Sequence, residues 1–138
     1  MIVEYNKVVD MVILGQPPRK SNSRILTTNT GKPRFIKSKR ALDYVDSFLL
    51  QTKQFYSGEP LGSLEQSLRA DFVIFYETRR SDLSAELILD CLEKAGIIKN
   101  DRYIREVHLY GFIDKGSPRT HIKIYTIKGI RIPPIQED

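Results

Sequence analysis

The sequence has a single cysteine, and its longest apolar runs are only long enough for strands. One cysteine excludes a disulfide within the chain, and Cys91 falls among apolar helix positions, which predicts a reduced thiol in the core. Without a transmembrane segment we expect a cytoplasmic protein with no membrane partner. The first apolar run, 8–14, is interrupted by Asp10 and is followed by no small-residue cleavage site, so it predicts a strand and not a signal peptide.

Several catalytic motifs are absent as well. No glycine-rich phosphate loop follows a predicted strand, and no serine elbow occurs. No Cys/His cluster is available for zinc, and His108 and His121 lie on predicted strands without metal-ligand spacing, where we interpret them as polar face residues. A hydrolase that works through metal-activated water needs none of these motifs.

Acidic residues are missing between Met11 and Leu42, although the chain as a whole has a formal net charge of only +5. The same segment is rich in cations. Its basic residues are Arg19, Lys20, Arg24, Lys32, Arg34, Lys37, Lys39 and Arg40. Such a segment can neutralise phosphates with release of counterions, which predicts a nucleic-acid partner. The alternative interpretation is a solvated basic loop.

The periodicity predicts a single α/β domain at 1–128, with a mixed sheet of four to five strands and two main helices, followed by a C-terminal tail at 129–138. Turn signals separate the elements. We expect strands at 8–14, 24–28, 34–38, 68–76, 103–112 and 120–127, and helices at 39–54 and 82–95. The strand at 68–76 is almost continuously apolar in its second half, which predicts that both of its faces are covered.

Four carboxylates in the second half of the chain form the main candidate site. On a helix that begins at Asp82, the side chains of Asp82, Glu86 and Asp90 stack along one face, and the following loop can bring Asp101 toward them. The simpler interpretation is that Asp82 and Glu86 complement the helix dipole and that Asp101 makes a turn. Because a bound cation would offset the repulsion between these carboxylates, the pattern favours a Mg²⁺ site for phosphodiester hydrolysis.

Three segments together resemble RusA-like Holliday junction resolvases. They are Gly-Gln-Pro-Pro-Arg-Lys-Ser-Asn-Ser-Arg at 15–24, Arg-Arg-Ser-Asp-Leu-Ser-Ala-Glu-Leu-Ile-Leu-Asp at 79–90, and Ala-Gly-Ile-Ile-Lys-Asn-Asp-Arg at 95–102. The resemblance covers nearly the whole chain. It implies a homodimeric, Mg²⁺-dependent endonuclease that cuts branched DNA symmetrically, in a family with many phage members.

The family motif can be aligned with this chain in two registers. It has Asp-x-Asp-Asn at the start of the helix, a lysine one turn later, an aspartate in mid-helix and a final aspartate, and Asp90 and Asp101 match the last two. Counting back from Asp90 puts Asp82 on the second aspartate, Arg80 on the first and Glu86 on the lysine. Counting forward makes Asp82 the first aspartate. Either register loses one acidic ligand, which Glu86 would restore.

The resulting hypothesis assigns roles to named residues. Asp82, Glu86 and Asp101 would hold Mg²⁺ or Mn²⁺, and Asp90 would be a further ligand or a support. The candidates for DNA contacts are Arg19, Lys20, Arg24, Arg79, Arg80 and Lys99, and the expected substrate is a four-way junction. Two other classes fit the sequence: a protein that binds branched DNA with little or no cleavage, and a metal-dependent enzyme that acts on free nucleotides.

Overall fold

The computed structural model describes residues 3–19, 24–29, 31–79 and 82–129. The strands are β1 (Glu4–Leu14), β2 (Arg24–Asn29), β3 (Lys32–Lys37), β4 (Ser67–Tyr76), β5 (Ile104–Ile113) and β6 (Arg119–Lys128). Four of them form a mixed sheet in the order β1-β6-β4-β5, and β2 and β3 form a separate hairpin. The helices are α1 (Lys39–Thr52) and α2 (Glu86–Lys94), with a 3-10 turn at Asp101–Tyr103. The predicted single α/β domain with a mixed sheet is confirmed.

The β4-α2-β5 unit determines where the candidate site residues lie. Strand β4 pairs with β5 in parallel and with β6 antiparallel. Parallel neighbours require a crossover connection, and α2 is that connection. The chain therefore leaves β4 at one end of the sheet, returns along α2, and enters β5 at the opposite end.

The core lies between one face of the sheet and the two helices. Along β4, buried residues alternate with half-buried ones, and Phe72 and Ile74 are completely buried beside Phe48 of α1 and Leu92 of α2. The expectation that β4 is covered on both faces is wrong. Its second face is only half-buried: Arg69 and Asp71 form an ion pair there, and Phe75 stacks on Phe112 of β5 with the ring centroids 5.7 Å apart.

Helix α1 begins where the sequence predicts, at Lys39, because Ser38 is its N-cap and the Ser38 hydroxyl accepts a hydrogen bond from the amide of Ala41 at 3.2 Å. It ends at Thr52, two residues before the predicted end. The amides of Phe55 and Tyr56 both donate to the carbonyl of Thr52, which closes the helix in a turn.

Helix α2 begins at Glu86, and the prediction of a start at Asp82 is wrong. The Ser84 hydroxyl accepts a hydrogen bond from the amide of Glu86 at 3.2 Å, and this local contact competes with a helical turn through Ser84. The other end follows the prediction. Gly96 has φ of +71°, and its amide donates to the carbonyl of Glu93, while the next amide donates to Leu92, which is a Schellman motif.

The remaining boundaries differ from prediction by a few residues. Strand β1 extends back to Glu4, and the two predicted arm strands pair as an antiparallel hairpin. The expected connector, 57–67, contains a short bridge between Leu61 and Ile98. The last strand ends at Lys128, and residues 130–138 of the predicted tail lie outside the described residues. No helix in the described ranges is long and apolar enough to cross a membrane.

Candidate functional site

The loop between β4 and α2 carries the first of the predicted carboxylates. The Gln16 side chain accepts a hydrogen bond from the amide of Glu77 at 2.5 Å, which ties the start of this loop to the segment after β1. Arg79 is exposed, Asp82 is half-buried, and Leu83 packs toward Gly111 of β5. Asp82 therefore precedes α2 by a turn's length of irregular chain and lies near the carboxyl end of β5.

The second and third carboxylates lie on α2 itself. Glu86 occupies the first turn of the helix, where its charge is favourable to the helix dipole. Asp90 is one turn further on, on the same side. The carboxylate of Asp90 faces Lys37 of the basic hairpin, with 3.9 Å between Nζ and Oδ2. Only two of the three carboxylates predicted on the helix, Glu86 and Asp90, therefore lie on it, and Asp90 has a cationic partner.

The fourth carboxylate, Asp101, lies at the other end of α2. Its amide donates to the Glu93 side chain at 2.7 Å, near the end of α2, and the 3-10 turn that it begins leads into Ile104. Asp82 is next to Leu83, which packs on Gly111 near the end of β5, whereas Asp101 lies just before Ile104 at the start of β5. Gly111 and Ile104 are about 23 Å apart at the usual rise of a strand. The sequence-based expectation that the loop folds Asp101 back toward Asp82 is therefore wrong within one chain.

No group of three or more Asp, Glu, His or Cys side chains that could hold a metal ion occurs within the described ranges. This agrees with the separation of Asp101 from Asp82. Mg²⁺ is usually bound by one or two carboxylates together with water and substrate phosphates, and only rarely by a complete protein cage. The N-terminal end of α2 can offer such a pair, because Asp82 and Glu86 flank the same short segment.

A basic cleft lies beside this end of the sheet. Its volume is about 530 Å³ and it contains the exposed guanidinium groups of Arg19 and Arg40. The cleft is lined by Leu14, Gly15, Gln16, Pro18, Arg19, Arg40, Asp43, Tyr44, Ser47 and Thr78. Arg40 was not among the predicted DNA contacts, although its place in the acid-free segment was the available signal.

The other predicted DNA contacts are distributed unevenly. Arg79 lies in the β4–α2 loop near Asp82, and Arg24 begins β2. Lys20 and Arg80 lie outside the described residues. Lys99 is exposed close to Asp101, at the end of the sheet opposite the cleft. Two of the predicted cations, Arg19 and Arg79, therefore approach the Asp82 end of the molecule, and Lys99 does not.

Both histidines contact a neighbouring side chain, and the cysteine is buried. His108 contacts the Glu106 carboxylate at 2.9 Å, and Arg119 donates to His121 at 3.1 Å. Burial, followed by the nearby Arg119 charge, lowers the pKa of His121. Burial raises the pKa of Cys91 to about 12, so the thiol stays protonated at neutral pH. These contacts favour structural roles for the two histidines and the cysteine.

Fold and site together define a two-layer α/β protein with a mixed sheet. Two carboxylates, Asp82 and Glu86, lie at the start of its crossover helix, and the exposed Arg79 lies in the loop before that helix. No protein-family model matches the chain. The chain is similar to the crossover junction endodeoxyribonuclease RusA of Aquifex aeolicus (strain VF5), with 28% identity over 127 residues, which cover 90% of this chain and 95% of that protein.

Proposed function

We propose that this chain is a RusA-like, metal-dependent endodeoxyribonuclease that cuts branched DNA, with the four-way junction as its substrate, in recombination and repair. The observation that carries the proposal is the pair Asp82 and Glu86 beside Arg79, in a chain similar over 90% of its length to a crossover junction endonuclease. The buried thiol of Cys91 supports a reducing compartment, the cytoplasm.

The donor set at the start of α2 fits a hard divalent cation. Asp82 and Glu86 supply only oxygen ligands, and half-burial lets them face both protein and substrate. Mn²⁺ accepts the same ligands as Mg²⁺. When bound, the ion would lower the pKa of a water and stabilise charge on the phosphate. The exposed guanidinium of Arg79 would hold the phosphate by charge-assisted hydrogen bonds.

The basic cleft would position the DNA backbone. Arg19 and Arg40 lie in one concave surface that reaches Thr78, just before Arg79. Phosphates bound there would continue toward Asp82 along the β4–α2 loop. Contacts of this kind fix the register of the DNA and carry no sequence information, which suits an enzyme that recognises a branch by its shape.

We also propose a homodimer, because paired cuts at a two-fold junction need two sites related by symmetry. The separation of Asp82 from Asp101 supports a site that is shared between subunits. Asp101 would then serve the partner subunit's Asp82, and neither chain would hold both carboxylates of one site.

The first test is cleavage of a labelled four-way junction and a matched linear duplex, with Mg²⁺ or with EDTA. We expect paired nicks in the junction that need Mg²⁺ and are lost in Asp82→Asn. The matched control is Asp46→Asn, an exposed carboxylate on α1 that does not line the cleft, which should cut normally. Metal-independent, salt-sensitive binding with no cut in Mg²⁺ or Mn²⁺ would instead support a DNA-binding protein without catalysis.

The second test asks which chains supply one site. Asp82→Asn and Asp101→Asn proteins, each inactive, are mixed and allowed to exchange subunits. A shared site leaves one intact constellation in each mixed dimer, so nicks in one strand should return. A site within one chain leaves none, and the mixture would stay inactive.

A further inference from the structure

A second basic cleft lies around the start of β5, at the opposite end of the sheet from Asp82. Its volume is about 490 Å³, and its lining contains two exposed arginines, three hydroxyl groups and no carboxylate. The lining residues are Ser63, Leu64, Ser67, Arg102, Tyr103 and Arg105. Neither arginine forms an ion pair with a carboxylate of the described ranges. A surface that combines positive charge with hydroxyl and guanidinium donors favours an anion.

Arg105 owes its place in this cleft to an irregularity of β5. Leu68 of β4 pairs with Ile104 in the parallel register. The next residue of β4, Arg69, pairs with Glu106, so Arg105 is an extra residue without a partner on β4. Such β-bulges are rare between parallel strands, and they re-aim a side chain next to functional sites. The bulge therefore gives the cleft a guanidinium that takes no part in the sheet.

Arg102 is held in place by the next residue, Tyr103. Its guanidinium lies 5.0 Å from the centre of the Tyr103 ring and donates to the Tyr103 hydroxyl at 3.0 Å. The backbone amide of Arg102 also donates to the Asn100 side chain at 2.9 Å, which fixes the turn. These contacts order the arginine before a ligand binds and leave most of its N–H groups for that ligand.

The opposite wall of the cleft belongs to the connector between α1 and β4, and hydrogen bonds anchor it. The Leu61 amide donates to the carbonyl of Ile97, and the Lys99 amide donates back to the carbonyl of Leu61, both at 2.8 Å. Gly62 has φ of +99° and lets the connector approach closely, since a Cβ there would stand 2.9 Å from Cβ of Tyr103. The two walls are thus joined without a ligand, which reduces the cost of ordering the cleft on binding.

We propose that Arg102 and Arg105 bind phosphates of the DNA backbone beside Asp101. The identity of the ligand rests on the proposed function, because Asp101 begins the 3-10 turn that contains Arg102. Guanidinium groups bind phosphate oxygens through paired, charge-assisted hydrogen bonds, and the absence of a carboxylate from the lining leaves both groups to the phosphates. The cleft of Arg19 would hold the backbone on the Asp82 side, and the second basic cleft would hold it on the Asp101 side.

Binding to DNA in EDTA, measured at several salt concentrations, tests the cleft without any cleavage. Each phosphate contact contributes about 0.9 to the slope of log K against log salt concentration, so the double variant Arg102→Gln/Arg105→Gln should lower the slope by about 1.8. It should also bind both a four-way junction and a linear duplex about tenfold or more weakly. The control is Lys53→Gln, which removes an exposed cation that does not line the cleft and should bind like wild type. Wild-type affinity and slope in the double variant would overturn the proposal, even if the wild-type protein cuts junctions.

A conservative double variant separates phosphate binding from a role in folding. Arg102→Lys/Arg105→Lys keeps both charges, so it should keep the wild-type salt slope. A lysine variant with the same weak binding and lowered slope as the glutamine variant would contradict the proposal.

NMR of the arginine side chains identifies the source of the phosphate. The Nε–Hε signals of Arg102 and Arg105 should shift when a linear duplex is added. A shift with inorganic phosphate and none with the duplex would assign the cleft to a small phosphate compound and overturn the DNA assignment. Shifts with DNA in a protein that cuts no junction would support this cleft and contradict only the nuclease function.

Discussion

Gly111 of β5 has no side chain, so Leu83 packs close to its backbone. The substitution Gly111→Ala tests whether this contact positions Asp82. A Cβ at Gly111 would stand 3.0 Å from Leu83 Cδ1. Carbon atoms pack at about 3.5–4.0 Å, so the leucine has to move by about 0.5–1 Å. It can do so because it is 43% exposed, and Asp82 is its neighbour in the chain.

Stability and activity should therefore change in opposite directions. Alanine is favoured over glycine in a strand by about 0.5–1 kcal/mol, so the free energy of unfolding should stay equal or rise slightly. A shift of this size at a reacting group can reduce cleavage by about 10- to 100-fold. Single-turnover cleavage of a four-way junction in Mg²⁺ measures the rate, and guanidinium denaturation measures the stability.

The control is Gly116→Ala in the β5–β6 turn, where an added Cβ has no neighbour closer than 3.9 Å. That variant should cut at the wild-type rate. Wild-type cleavage by Gly111→Ala, in protein of unchanged or higher stability, would refute the idea that the Leu83 contact positions Asp82. A large loss of stability would refute the packing estimate itself.

Three further predictions concern the core and the pH dependence. Thr120→Val should raise the free energy of unfolding by about 1 kcal/mol, because the buried Thr120 hydroxyl has no hydrogen-bond partner among the described residues. A loss of stability in denaturant titrations would contradict this. The Cys91 thiol, with its pKa raised by burial to about 12, should react with a disulfide reagent at pH 8 only as fast as the protein unfolds, so rapid labelling of folded protein would exclude its burial. The hydrogen bond from Arg119 lowers the pKa of Asp114 below its ordinary 3.8, so its stabilisation is present above that pH and is lost as pH falls through the lower value. Asp114→Asn should therefore lose less stability than wild type between pH 4 and pH 2, and equal losses in thermal unfolding would show that this pair does not contribute.

Local signals in the sequence predicted much of the fold. The apolar helical repeat of Leu42, Val45 and Leu49 located the start of α1 correctly, and Gly96 located the end of α2. Both depend on residues a few positions apart. The start of α2 was missed because the Ser84 hydroxyl binds the Glu86 amide, a competition that apolar periodicity does not reveal.

The relation between the carboxylates could not be predicted in the same way. An alternating strand has the same pattern whether it runs parallel or antiparallel to its neighbour, so the sequence left the direction of β5 open. The parallel pairing of β4 with β5 is a non-local choice, and it places Asp101 at the opposite end of α2 from Asp82. The roles of Asp82, Glu86 and Asp101 as metal ligands remain predictions that the cleavage and mixing experiments address.

The pairing of β1 with β6 has a consequence for the order of folding during synthesis. Ile13 pairs with Thr120, and Val12 pairs with His121, so the first strand acquires its neighbour only after almost all of the described chain has been made. Until then the apolar side of β1 has no sheet to join, and contacts between residues so distant in sequence form slowly. A nascent chain of this protein is therefore expected to depend on chaperones until β6 has been synthesised and can pair with β1. A stop codon before β6 should give insoluble product, even though both helices are already present.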